Sequence, residues 1–367
     1  MVIGCGGDCG LDREAPAAGV QGGYSGRWRT QNGRMVLPLL SRRRWLAAGA
    51  GGALGMAAPA RAGAPATWRV GPGEAFSRVA DALRHAADGD TIAVLPGTYR
   101  GDVAVVTQRR LHIVGVGAQP VFEADGRHAE GKAIWVVRDG DITIENIGFR
   151  GARVPDANGA GIRFERGRLR LRQCSFADNQ MGVLTSNDAS AELDIAQCSF
   201  ADAPDNPASL PHLIYVGRIG VLRLHDSQLR HGRVGHLLKC RARAAEITGN
   251  RLDDGPDGRA SYEIDLPNGG RVLVEGNTLV QSPLSQNPVM LAYGAEGQAW
   301  PDSALTVRDN TFINRRALDG LFIRVWDDRL PPGAPVLSTR NRLLGPGGVA
   351  LGVDGRSVDD RRGNAPD

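Results

Sequence analysis

One pattern recurs along most of this chain: a short apolar strand ends in a small polar residue, and a large apolar residue follows shortly after. These large apolar residues are Phe149, Phe176, Phe200, Leu229, Leu252, Leu279, Phe312 and Leu343. They are separated by 27, 24, 29, 23, 27, 33 and 31 residues, and the intervals hold a second short apolar strand but no helical segment. A period of this length, built from strands, glycine and polar turns, predicts an all-β solenoid of stacked coils.

The position two residues before each apolar end tests the register of the coils. From the second coil onward it is occupied by Cys174, Cys198, Ser227, Asn250, Asn277, Asn310 and Asn341. Stacked coils lie about 4.8 Å apart, so equivalent residues form a ladder in which amide side chains hydrogen-bond to one another. We therefore expect this ladder to be structural. Cys174 and Cys198 would be close enough for a disulfide in an oxidising compartment.

The N-terminal part of the chain has the features of an export signal rather than of folded protein. Three arginines follow Ser41, an apolar run of small residues extends from Ala47 to Ala58, and Ala60-Arg-Ala62 is a small-x-small site. We predict a twin-arginine signal peptide over 35–62, cleaved after Ala62, which makes the protein periplasmic or secreted. The apolar run is too short for a permanent anchor. Residues 1–34 are expected to be a non-native or disordered extension.

Removing this leader changes what the charge of the chain implies. The whole sequence has 44 basic and 40 acidic residues, a net charge of +4. Residues 1–62 hold eight arginines but only three acidic residues, so the mature chain has 36 basic and 37 acidic residues. A nearly neutral mature chain predicts neither nucleic-acid nor membrane binding. We expect a monomer.

The beginning of the mature chain predicts a cap for the open end of the solenoid. Residues 75–87 place apolar side chains on one helical face before Gly89, which favours a short N-terminal capping helix. The cap and first strand are expected over 63–100 and the coils over 101–350. A disordered tail is expected over 351–367.

Two features resemble the pectate-lyase-like superfamily: residues 89–99 (GDTIAVLPGTY), and the coils that end in Asn-x-Phe or Asn-x-Leu. The resemblance covers roughly residues 70–350 and implies a single-stranded right-handed parallel β-helix. It specifies the fold rather than the activity, because this fold carries lyases, epimerases, hydrolases and non-enzymatic adhesins.

Charged residues gather on the second strands of the middle coils. The alternation of apolar residues predicts four outward-facing charges on neighbouring coils: Lys239, Arg241, Glu263 and Asp265. Lys239 is one of only two lysines, against 42 arginines. Lysine can lose its proton when other cations crowd it, which arginine effectively cannot. We therefore predict that Arg241 and Arg243 lower the pKa of Lys239 and that Lys239 is a general base.

The reaction that fits this set is β-elimination on a uronate. A cation neutralises the carboxylate, a base removes the C5 proton, and an acid protonates the leaving glycosidic oxygen. The predicted catalytic residues are Lys239, Arg241, Tyr215, His236, Glu263 and Asp265, with Tyr215 or His236 as the acid. The predicted substrate-binding residues are His212, Arg243, Tyr262, Asn268, Tyr293 and Arg324.

Within the superfamily, the stretch around Lys239 and the following coils is similar to the alginate lyase and chondroitinase B branch. This resemblance implies Lys239 as the base, an acidic polysaccharide as the partner, and Ca²⁺ as a cofactor in some members, for which Glu263 and Asp265 are the candidate ligands. The arginine acid of that branch has no counterpart here, because residues 262–265 read Tyr-Glu-Ile-Asp.

Three functions remain open from the sequence. The first is a lyase that uses Lys239, and the second is a non-catalytic β-helix that binds or assembles polysaccharide. The third is a glycoside hydrolase or C5 epimerase in the same groove, although the Asp-Pro-His-Gly motif of mannuronan epimerases is absent. An ion pair between Lys239 and Glu263 or Asp265 is the structural alternative to catalysis.

Overall fold

A computed structural model describes residues 64–205 and 210–352 together with the backbone of Ala365–Pro366. The predicted extension over 1–34 and the predicted signal peptide over 35–62 lie outside these residues. The chain winds through three parallel sheets, named sheets 1, 2 and 3 in the order in which each coil passes through them. It forms a right-handed parallel β-helix of about ten coils. The predicted fold class is confirmed.

The strands recur once per coil in each sheet. Sheet 1 contains Thr67–Val70, Thr91–Val94, Arg110–Gly115, Asp141–Glu145, Arg168–Arg172, Glu192–Ala196, Val221–His225, Ala244–Thr248, Arg271–Glu275, Ala304–Arg308 and Val336–Thr339. Sheet 2 contains Thr98–Arg100, Val121–Glu123, Gly148–Arg150, Ser175–Ala177, Ser199–Ala201, Gln228–Arg230, Arg251–Asp253, Thr278–Gln281, Thr311–Asn314, Arg342–Leu344 and Ala365–Pro366. Sheet 3 contains Ala104–Val106, Ala133–Val137, Ala160–Phe164, Met181–Thr185, His212–Val216, Leu238–Cys240, Ile264–Leu266, Val289–Tyr293, Leu321–Val325 and Gly348–Ala350.

Apolar side chains at alternate strand positions fill the interior of the coils. Phe149, Phe176 and Phe200 occupy the same position of sheet 2 on successive coils, and their ring centroids are 5.2 and 4.6 Å apart. Such buried aromatic pairs contribute about 0.5–1.5 kcal/mol beyond the area they bury. The repeated large apolar residue of the sequence is therefore a stacked core residue.

The polar ladder lies where the sequence predicted it, between sheets 1 and 2. The backbone N–H of each ladder residue from Cys174 to Asn310 donates to the side chain of the equivalent residue in the next coil, ending at Asn341. The four hydrogen bonds to asparagine Oδ1 atoms measure 2.8–3.0 Å. Cys174 and Cys198 belong to this ladder as free thiols, with the Cys174 N–H 3.3 Å from the Cys198 Sγ.

The N-terminal helix is shorter than predicted. It spans Val79–Leu83, not residues 75–87. Asp102 accepts hydrogen bonds from the N–H groups of Val79 and Ala80 at 2.6 and 3.3 Å, which starts the helix there. Upstream, Phe76 forms a bridge to Val70 and so has an extended backbone. The buried helical residues nevertheless pack against the first strands, as expected for a cap.

Parts of the C-terminal tail are described. Leu351 packs in the hydrophobic core, and Ala365–Pro366 pairs with Arg342 and Leu343 as the last strand of sheet 2, whereas we expected disorder throughout 351–367. The open end of a sheet presents unpaired backbone groups that favour such an addition. None of the described helices is long and apolar enough to cross a membrane.

The ladder predicts that Asn277→Ala strongly destabilises the fold. Asn277 Oδ1 accepts hydrogen bonds from the backbone and side-chain nitrogens of Asn250, and its Nδ2 donates to the Ile247 carbonyl at 2.8 Å. Leaving such buried groups without partners costs about 1–3 kcal/mol each. We expect the free energy of unfolding, measured by urea denaturation, to fall by about 3 kcal/mol. The control Asn158→Ala, in the loop before Ala160–Phe164, should change it by less than about 0.5 kcal/mol; equal losses would contradict a ladder role.

Candidate functional site

One line of side chains runs along the outer face of sheet 3. Residues in register on successive coils are Arg163, Leu184, Tyr215, Lys239, Asp265, Ala292 and Arg324. Alternation directs their neighbours Leu238, Ile264 and Leu291 into the core. Hence Lys239 and Asp265 face outward on consecutive coils, as the sequence predicted, and Tyr215 shares their face on the coil before.

Lys239 is held by two carboxylates. Its Nζ lies 2.8 Å from Glu296 Oε1 and 3.5 Å from Asp265 Oδ2, and its side chain is 12% exposed. Burial alone lowers the pKa of Lys239, but the two carboxylates outweigh burial and raise that pKa above its usual value. The expectation of a lowered pKa is therefore wrong, because carboxylates rather than guanidinium groups dominate around the amine. Lys239 is an ammonium ion at neutral pH.

Arg241 also binds the Glu296 carboxylate. Its Nη2 lies 2.6 Å from Glu296 Oε2, and its Nη1 donates to Asn268 Oδ1 at 2.7 Å. Its Nε donates to Tyr215 Oη at 3.2 Å. The Tyr215 ring lies near both cations, with its centroid 5.8 Å from the Lys239 Nζ and 5.9 Å from the Arg241 Cζ. The site is thus a pair of cations beside a half-buried phenol.

Glu296 belongs to a loop, residues 294–303, that connects sheet 3 to sheet 1. Asn268 donates to the Gly297 carbonyl at 2.7 Å, and Trp300 Nε1 donates to the Arg241 carbonyl at 3.0 Å. These bonds hold the loop beside the cation pair. The 33-residue interval that ends at Phe312 indicated a long loop here. Nothing in its sequence singled out Glu296, which the sequence analysis missed.

Two largely buried histidines, His212 and His236, lie next to Asp265 and Tyr262. His236 Nε2 is 3.4 Å from Asp265 Oδ2, and the His236 ring packs against Tyr262 and His212 with centroids 4.8 and 4.7 Å apart. Burial, followed by nearby positive charge, lowers the pKa of His212 to about 3 and that of His236 well below its usual value. Both imidazoles are therefore neutral at neutral pH, and His236 is a poor source of a proton for a leaving group.

Glu263 and Tyr293 are not on the outer face, contrary to the prediction. Tyr293 is part of the core, where its hydroxyl donates to the Gly270 carbonyl at 2.6 Å. Glu263 is fully buried at the start of its strand, and neither carboxylate oxygen has a hydrogen-bond partner among the described residues. Burial, with Asp254 nearby, raises the pKa of Glu263 well above its usual value. The strict alternation assumed from the sequence fails because the strand begins only at Ile264.

The two carboxylates proposed as calcium ligands do not fit that role. Glu263 is buried apart from the outer face, and Asp265 lies beside the ammonium group of Lys239. Calcium prefers six to eight oxygen ligands. Within residues 64–205 and 210–352, no group of three or more His, Cys, Asp or Glu side chains is arranged to hold a metal ion.

Two arginines of the predicted set, Arg243 and Arg324, lie apart from the Lys239 site. Arg243 pairs with Asp302 at 3.1 Å, at the far end of the 294–303 loop. Arg324 lies on the outer line, three coils after Lys239, with its guanidinium 4.5 Å from the centre of the Trp326 ring. The structure therefore brings Tyr215, Lys239, Arg241, Asp265 and Asn268 together and leaves these two outside.

No protein-family profile matches the sequence. No curated protein matches it either. Among solved structures, the chain is similar to the pectate lyase Pel9A, with a TM-score of 0.47 and 12% identity over 80% of this chain and 82% of that one. It is similar to a pectin methylesterase from Aspergillus niger, with a TM-score of 0.42 and 13% identity over 80% and 87%. It is also similar to the PL6 family alginate lyase AlyGC, with a TM-score of 0.43 and 15% identity over 83% and 40%. These similarities concern the fold alone, and the protein is a right-handed parallel β-helix.

The environment of Asp265 predicts a pH dependence of stability. Burial raises its pKa from 3.8 to about 6, although Lys239 opposes the shift. A carboxyl group with a raised pKa favours folding below pH 4, and this contribution is lost as the pH rises to about 6. We expect urea denaturation to show the wild type losing stability relative to Asp265→Asn in that window, by up to about 1.4 kcal/mol per pH unit. A difference that does not vary with pH would contradict this assignment.

Proposed function

We propose that this protein binds an acidic polysaccharide on the outer face of sheet 3 and cleaves it by β-elimination. The observation that carries the proposal is the Glu296 carboxylate, which bridges the Lys239 ammonium and the Arg241 guanidinium beside Tyr215. A uronate carboxylate has the same charge and the same acceptor geometry. Glu296 therefore marks the place where a substrate carboxylate would bind once the loop side chain moves away.

Lys239, Arg241 and Tyr215 then have roles that differ in part from those predicted from the sequence. Lys239 and Arg241 neutralise the uronate carboxylate and so acidify the C5 proton. Arg241 Nε also donates a hydrogen bond to Tyr215 Oη, which places the Tyr215 oxygen beside the bound carboxylate. We assign proton transfer to Tyr215: its deprotonated oxygen takes the C5 proton, the C4–O bond breaks as the C4–C5 double bond forms, and the hydroxyl then returns the proton to the leaving oxygen. Lys239 acts as a binding cation rather than as the base.

Binding without cleavage is the second candidate function. It is favoured by the same ion pairs, because Lys239 and Arg241 are fully engaged in charge pairing and the imidazole of His236 is buried and neutral. A site that only recognises carboxylates needs the cations but not the phenol. The two candidates therefore differ in what removal of the Tyr215 hydroxyl does.

The lyase proposal predicts distinct effects for two variants of the mature protein. Alginate, polygalacturonate, glucuronan and chondroitin would be tested with and without Ca²⁺, following the ultraviolet absorbance of the unsaturated product. Arg241→Gln should lower kcat/KM about a hundredfold, because it removes charge stabilisation. Tyr215→Phe should lower kcat by a similar factor or more while affinity is retained, because it removes proton transfer.

The matched control is Arg308→Gln, which removes a guanidinium paired with Glu275 on sheet 1 and should leave cleavage unchanged. Binding of a polysaccharide without any unsaturated product would establish the second candidate. A wild-type protein that neither binds nor cleaves any of these polymers would refute both.

Glu296→Gln should strengthen binding of the polysaccharide. The substrate carboxylate then no longer has to displace a charged competitor, and loss of an ion pair of about 1 kcal/mol corresponds to roughly a fivefold gain in affinity. Equilibrium titration with polyuronate measures it. Asp302→Asn is the control, because Asp302 lies in the same loop but pairs with Arg243 and Arg271; it should not alter the affinity. Weaker binding by Glu296→Gln would speak against a competing role.

We also propose export of the mature protein through the twin-arginine leader over 35–62. The proposal rests on Ser41, the three arginines after it and the small-x-small site that ends at Ala62. Arg42→Lys combined with Arg43→Lys should retain the full-length chain in the cytoplasm, as seen by cell fractionation. Normal release of that double variant would contradict the assignment.

A further inference from the structure

A second basic residue, Arg163, lies on the same outer line of sheet 3, nearer the N-terminus. Arg163 is in register with Leu184, Tyr215 and Lys239 on the next three coils. Since coils repeat at about 4.8 Å, Arg163 lies roughly 14 Å from Lys239 along the solenoid axis. Arg163 and the candidate binding site around Lys239 therefore lie on the same outer face of sheet 3.

The surroundings of Arg163 carry more positive than negative charge. Three cations, Lys132, Arg138 and Arg163, share two carboxylates, Glu130 and Glu165. The Glu165 carboxylate forms ion pairs with Lys132 Nζ at 2.6 Å and with Arg138 Nη1 at 3.3 Å.

Arg163 is the member of this group that remains short of a partner. Its Nε lies 4.0 Å from Glu165, beyond hydrogen-bond distance. This buried nitrogen has no hydrogen-bond partner among residues 64–205 and 210–352, although the side chain is only 18% exposed. A partly buried guanidinium without full compensation is costly. Nε itself is shielded from solvent, so an incoming carboxylate would approach the exposed 18% of the side chain and reduce that cost by compensating the charge.

We propose that Arg163 is a second carboxylate-binding subsite for the same acidic polysaccharide. The polymer would lie parallel to the solenoid axis, with one carboxylate at Lys239 and Arg241 and another, about three residues away, at Arg163. The inference rests on the proposed function and deepens it, because it assigns the ligand as a polyuronate long enough to span both sites. A mono- or disaccharide uronate reaches only one of them.

The direction of the polymer follows from the residues between the cations. Toward Arg163, the intervening positions are Tyr215 and Leu184, neither of which carries a negative charge. In the opposite direction, toward Arg324, the first position is Asp265, whose buried carboxyl group lies beside Lys239. A polyanion that extended in this direction would face the Asp265 carboxylate. We therefore assign the polysaccharide to the coils on the N-terminal side of Lys239.

The test measures affinity against ligand length. Oligogalacturonates and oligomannuronates of two and six residues would be titrated into the mature protein carrying Tyr215→Phe, which prevents cleavage during the measurement. Arg163→Gln should weaken binding of the hexamer about tenfold and leave the dimer unchanged. Arg163→Lys should recover part of the loss. Arg241→Gln should weaken both lengths, and Arg308→Gln, which removes one positive charge from sheet 1, should weaken neither.

The outcomes separate this inference from the proposed function. If Arg163→Gln binds the hexamer as the parent does while Arg241→Gln does not, the subsite is refuted and the proposed function stands. If the parent binds no oligomer of either kind, both are refuted. If an Arg163 variant fails to fold, the Tyr215→Phe protein alone still tests the subsite. Equal affinity of that protein for uronate oligomers of two and six residues would refute the second subsite.

Discussion

The hydrogen bond from a backbone N–H to the side chain of the equivalent residue in the next coil is the constraint on which the rest of this structure depends. It repeats from Cys174 to Asn341 and so prevents one coil from slipping against the next. A slip by one residue would turn every strand side chain to the opposite face. The alignment of Tyr215, Lys239 and Asp265 on three consecutive coils is therefore a consequence of a ladder that lies elsewhere in the coil.

That alignment places ionisable groups where water is scarce, and this determines their chemistry. Asp265 and His236 are buried, so both favour their neutral forms more than they would in water. Lys239 stays charged because two carboxylates outweigh its burial. Among the charged residues around Lys239, Glu296 contributes its carboxylate from a loop rather than from a strand. The site is therefore best understood as a carboxylate-binding site in which the side chain of Glu296 occupies the position of the ligand.

The error about Lys239 shows where reasoning from neighbouring sequence fails. Arg241 and Arg243 are close to Lys239 in the chain, and they suggested a lowered pKa. In three dimensions Arg243 turns toward Asp302, whereas Glu296, 57 residues away, reaches the Lys239 amine. The sign of the pKa shift was therefore decided by a contact that no local pattern encodes.

By itself the sequence determined the solenoid, the ladder positions and the outward direction of Lys239 and Asp265, because a regular period and strict alternation leave few other arrangements. It failed where alternation stops: Glu263 lies just before its strand and is buried, and the helix begins only where Asp102 caps it. Tyr293 follows the same alternation as Leu291 and points into the core, so its predicted place in the groove was wrong on the strand pattern itself. Only the tertiary structure decided how the charges pair. Pairing depends on which loop folds over which coil, and that depends on contacts between residues far apart in the chain.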